Sequence, residues 1–106
     1  MVTCLIKKES NKYYSIELSG HSGYAESGYD IVCSAISMLT INTANSIMEL
    51  TDTVIDPVEE DGYLRWMFNS GIDDKACLLM DSLVLGLKTI EDTYSERYLR
   101  LIIEEV

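Results

Sequence analysis

Gly20–Ser37 reads GHSGYAESGYDIVCSAIS, and across it the chain changes from alternation to helical periodicity. Before it, Tyr13–Ser19 alternates Tyr14, Ile16 and Leu18 with Tyr13, Ser15, Glu17 and Ser19, the period-two pattern of a half-buried strand. After it, Val32, Ala35, Ile36, Leu39, Thr43, Ile47 and Leu50 recur at three- and four-residue spacing, which predicts a helix of about five turns. In between the apolar period disappears, and Gly20, Gly23 and Gly28 make the connector a mobile or unusually shaped loop. The same stretch holds the only histidine, His21, and one of three cysteines, Cys33. Asp30 offers a carboxylate at the helix N-cap, which would put Cys33 in the first turn, where unpaired N–H groups favour an anion.

Towards the N-terminus, Val2–Lys8 is a second alternating run, with Val2, Cys4 and Ile6 on one side, and Glu9-Ser10-Asn11-Lys12 supplies a hairpin turn. Towards the C-terminus, Thr53–Asp56 reads as a short strand ended by Pro57, and Glu59-Glu60-Asp61-Gly62 as a turn before the strand Tyr63–Phe68. Leu64, Trp66 and Phe68 share one side of that strand. Gly71–Asp74 then introduces a helix of about 20 residues carrying Ala76, Leu79, Met80, Leu83, Leu87, Ile90 and Tyr94 on its apolar stripe. Leu78, Val84 and Leu85 widen that surface, and Gly86 implies a close backbone approach. Arg97–Glu104 is the last strand. The order ββαββαβ implies a two-layer α+β domain over residues 1–106, with two helices on one face of a mainly antiparallel sheet. Apolar residues on the other sheet face would need covering, which self-association would supply.

At 106 residues, 47% of them hydrophobic, the chain has the size and composition of one folded domain without staples. Its apolar runs at Ala76–Met80 and Leu83–Leu87 are far shorter than the roughly 20 residues of a membrane span, and no secretory leader is visible. The expectation is a cytoplasmic protein with no membrane contact, in which Cys4, Cys33 and Cys77 are thiols. Cys4 and Cys77 read as core residues. A formal charge of −10 disfavours direct nucleic-acid binding and favours basic partners.

The connector is long enough to fold His21 back over the helix start, so a Cys33/His21 dyad is feasible, with imidazole taking the thiol proton. Ser37 lies four residues after Cys33 on the same helix face. Ser37 and Asp30 are candidates for orienting histidine or substrate, beside the plainer readings of small packed residue and cap. A loop histidine with a buried cysteine is the competing reading of the dyad itself. One histidine and no CxxC argue against a metal site, and no cofactor motif is present.

The combination Gly20-His21, Gly23-Tyr24-Ala25, Gly28, Asp30-Ile31-Val32-Cys33-Ser34-Ala35 and Ser37 resembles the ribosomal-processing cysteine protease family Prp, with length and element order agreeing over essentially the whole chain. Ser22 and Ser34 stand where alanine is more usual in that family. The resemblance implies a homodimeric endopeptidase that removes the N-terminal extension of a basic large-subunit ribosomal protein. Cys33 would be its nucleophile and His21 its general base, with supporting roles for Asp30 and Ser37. It also implies a glycine-rich loop that brings His21 to Cys33 only when substrate binds. The alternative is a non-catalytic ribosome-associated binding module of the same fold.

Overall fold

The computed structural model describes residues 1–20, 29–94 and 98–106, without side-chain placement for Tyr29 and Asp30. Its elements run β1 (Val2–Glu9), β2 (Lys12–Ser19), α1 (Tyr29–Leu50), β3 (Val58–Glu60), β4 (Tyr63–Met67), α2 (Asp74–Tyr94) and β5 (Leu99–Glu105). They form a single five-stranded sheet in the order β3-β4-β2-β1-β5, antiparallel except for the parallel β1–β5 pair. The expected ββαββαβ order and α+β class are therefore what the chain adopts.

Strand register puts the apolar positions on one face. Cys4 lies opposite Leu18 and Leu101, Leu18 opposite Leu64, and Ile16 opposite both Ile6 and Trp66. Cys4, Ile6, Ile16, Trp66 and Leu99 are almost wholly buried there. α2 packs over β5 and β2 through Ala76, Met80, Leu83, Leu87 and Ile90, and α1 packs along α2. Ile31–Leu50 is long and apolar enough by length and composition to cross a membrane. Its apolar content has a packing cause on one side, where Val32, Ile36, Ala44 and Ile47 enter the core. Thr40 and Thr43 are also buried on that side, because their hydroxyls donate back to the carbonyls of Ile36 and Leu39 at 2.8 and 2.7 Å.

Four local expectations change. A bulge at Tyr14 shifts the β1–β2 register, so that Lys8 faces Tyr13. Tyr13 is thereby buried, donating to the Asp81 carboxylate at 2.5 Å, while Tyr14 faces outward. Thr53–Asp56 is not a strand, and the short edge strand begins only after Pro57. In its place the Thr53 hydroxyl accepts from the Asp73 N–H, and Ile55 enters the core. Gly86 does approach α1 closely, but a Cβ there would meet the Leu39 side chain at 2.9 Å rather than backbone. Leu50, placed on the α1 stripe, is exposed, as are Leu78 and Leu85 on α2.

On the far sheet face, Leu5, Tyr63, Met67 and Ile102 are only half-exposed among Lys7, Glu17, Arg65 and Arg100. More exposed apolar residues lie on the helices, at Leu78 and Leu85 of α2 and along a longer stretch of α1. Ile31, Met38, Ile41 and Met48 recur there at seven- and three-residue spacing.

Candidate active site

α1 and the β3–β4 hairpin face one another across a groove of about 590 Å³. Val2, Leu18 and Leu64 supply apolar lining from the sheet. Cys33, Ile36, Ser37, Thr40 and Ile41 form the α1 wall, and Glu59–Tyr63 the opposite wall. At one end the Gly20 N–H donates to the Gly62 carbonyl at 2.9 Å, continuing the β2–β4 ladder and fixing the Asp61-Gly62 turn beside the end of β2. Gly20 adopts φ +95°, and a Cβ there would collide with the Met1 carbonyl oxygen, so this position requires glycine.

Cys33 is half-buried on the groove wall, with Ser37 one turn further along. The structure thus brings two of the expected site residues to one cavity. α1 begins at Tyr29, which makes Asp30 its second residue rather than its cap and Cys33 its fifth. The Cys33 N–H therefore lies beyond the first-turn groups that have no helical partner, and the helix-end argument for an anion at this thiol is correspondingly weaker. His21, Gly23 and Gly28 lie outside the described residues, as do the approach of His21 to Cys33 and the substrate-driven closure expected of that loop.

The other two cysteines are chemically set apart. Cys4 is wholly buried between β2 and β5, and burial pushes its thiol up to about 12. Cys77 sits on α2 against the core, its thiol raised first by burial and then by the Asp81 carboxylate. Neither lines the groove. No group of three potential metal ligands occurs among the described residues.

The acidic hairpin wall was not anticipated, because Glu59 and Glu60 read as turn residues. A three-residue strand is too short to display alternation, and the signal available was Pro57, which displaces the strand start to the next residue.

A thiol on the wall of an open groove, at the start of a helix that follows a glycine-rich connector, is the arrangement expected of a cysteine hydrolase. Comparison with known proteins agrees. The family model for "Cysteine protease Prp" matches residues 1–99. A ribosomal processing cysteine protease Prp of Bacillus subtilis is 29% identical over 103 residues, covering 91% of this chain and 92% of its own length. The crystal structure of Prp from Staphylococcus aureus with a covalently linked product peptide superposes with a TM-score of 0.89 at 28% identity, covering 98% of this chain and all of the other. The same S. aureus protease with a substrate peptide gives 0.83 at 27% identity, again over 98% of this chain. The family model, the relatives and the shared fold agree, and the chain belongs to the cysteine protease Prp family.

Proposed function

We propose that this protease removes the N-terminal extension of a large-subunit ribosomal protein in the cytoplasm, with Cys33 as nucleophile and His21 as general base. The observation that carries the reading is the position of Cys33. It is the cysteine that lines the groove, whereas Cys4 and Cys77 are packed into or against the core. In the proposed reaction His21 takes the Cys33 proton and the thiolate adds to the scissile carbonyl carbon. The tetrahedral adduct collapses as the C–N bond breaks, the leaving amine takes the proton from His21, and a thioester remains. Water then adds to the thioester carbonyl with His21 as base, and the C–S bond breaks to release the acid and restore the thiol. In this reading Ser37, which lines the groove one turn from Cys33, orients the substrate or His21.

The formal charge of −10 suits a basic ribosomal substrate, because attraction raises the encounter rate more than it selects the bond. We also propose a homodimer. The outer stripe Ile31, Met38, Ile41 and Met48 has the seven-residue repeat that a second copy of the same helix can match about a two-fold axis.

The test is incubation of the extended ribosomal protein from the same genome with wild type, Cys33→Ala and His21→Ala, reading the new N-terminus by mass spectrometry. Cleavage by wild type alone is expected, and equal cleavage by all three removes the dyad.

A further inference from the structure

On the sheet's helix-facing surface the side chains beside the groove are apolar, Val2, Cys4 and Ile6 on β1, Ile16 and Leu18 on β2 and Leu64 and Trp66 on β4, and the edge strand β3 departs from that pattern. Glu59 pairs with Leu64, whose side chain enters the core, so Glu59 stands on that same surface. It is exposed there, and it lines the same groove as Cys33. Glu60 pairs with Tyr63 and so turns its side chain to the other sheet face, while Asp61 borders the groove in the turn that follows, and among the described residues no lysine or arginine lines the groove. Carboxylates beside an apolar, partly dehydrated floor focus a negative potential that bulk water does not fully screen.

We propose that this acidic wall is a specificity subsite that receives a lysine or arginine side chain of the peptide being cleaved, its aliphatic stem along Leu64 and its charged head at Glu59. Long basic side chains combine an apolar stem with a charged tip, and the groove presents matching surfaces in that order. The inference rests on Cys33 being the thiol that meets the peptide. It adds local charge selection at the bond to the overall attraction expected from net charge.

The test has two arms, in a Cys77→Ser background with Cys4 protected by burial. The first compares modification of Cys33 by a trimethylammonium-ethyl and a sulfonatoethyl methanethiosulfonate, reagents of opposite charge and common mechanism. The cation-to-anion rate ratio is expected to fall at least about threefold in Glu59→Gln and further in Glu59→Lys at low ionic strength. An unchanged ratio overturns the proposal. The second arm measures kcat/KM on the extended ribosomal protein and on the same protein with lysines and arginines flanking the cleavage site changed to glutamine. Glu59→Lys should lower kcat/KM on the unaltered substrate about tenfold or more, mainly through KM, and lose most of the wild-type preference for the basic form. Cleavage by wild type with no difference in Glu59→Lys also overturns it. If wild type cleaves neither protein while the thiol ratio shifts as expected, the substrate assignment fails and the acidic wall stands.

Discussion

Two glycines hold nearly the same left-handed backbone, Gly20 at φ +95° and Gly71 at φ +94°, but their surroundings differ. Nothing lies within 4 Å of a Cβ built on Gly71, whereas one built on Gly20 runs into the backbone carbonyl of Met1. Alanine at either site incurs about 1–2 kcal/mol for the left-handed conformation, partly offset by about 0.4–1 kcal/mol of lost unfolded-state freedom. Gly71→Ala is therefore expected to lose roughly 1 kcal/mol, at most about 1.6. Gly20→Ala carries in addition the displacement of backbone at the start of β1, an overpacking cost of about 1–3 kcal/mol. That shift strains both the Gly20–Gly62 hydrogen bond and the bond from the Val2 N–H to the Tyr98 carbonyl. Urea denaturation should place Gly20→Ala below Gly71→Ala by about 1–3 kcal/mol, or roughly 5–20 °C in Tm for a domain of this size. Because the same bond fixes the β3–β4 hairpin against β2, kcat/KM should fall in Gly20→Ala even below its melting range and stay near wild type in Gly71→Ala. Equal stability of the two variants would refute the steric argument and leave only the backbone term.

Other consequences are local. Glu91 Oε2 accepts from the Leu101 N–H on edge strand β5 at 2.7 Å, so Glu91→Ala should cost about 1–2 kcal/mol in chemical denaturation, and Glu91→Gln less. Asp73 accepts from the Ala76 N–H at the start of α2 and from the Asp52 N–H, and these bonds hold its carboxyl below the usual range. Its contribution to stability is present above the unfolded-state pKa and is lost as pH falls through the lower folded value. Asp73→Asn should therefore flatten the acid limb of a stability-versus-pH curve measured from neutral pH downward. Iodoacetamide at mildly alkaline pH should label Cys33 before Cys77 and leave Cys4 unlabelled until the protein unfolds, as read by peptide mapping. Met38→Lys with Met48→Lys should shift the species seen by light scattering from dimer to monomer, and a dimer unaffected by both changes would move the interface off α1.

Much of the fold was legible because long segments carried their period clearly. The alternation of Val2, Cys4 and Ile6, the stripe from Val32 to Ile47 and that from Ala76 to Ile90 each turned towards the core as their spacing required. The departures arose where tertiary pairing decides the side. Tyr13 and Tyr14 are both ordinary strand residues, and only the bulge against Lys8, together with the Asp81 partner, selects Tyr13 for burial. At Thr53–Asp56, β-branched composition favoured a strand, but Pro57 lacks a donor and Thr53 is engaged with the start of α2. The four-residue spacing of Cys33 and Ser37 puts them on one helix face, and both line the groove. The role of Glu59 was invisible, since its facing depends on pairing with Leu64 rather than on its neighbours in sequence.

The most direct measurement of the central claim is an acid-quenched single turnover of wild-type enzyme with the extended ribosomal protein, followed by peptide mapping. The account predicts a transient acyl adduct carrying the N-terminal extension on the Cys33 peptide, its formation abolished in Cys33→Ala and slowed at least about a hundredfold in His21→Ala. An adduct on Cys77, or full-rate cleavage by Cys33→Ala, would contradict it.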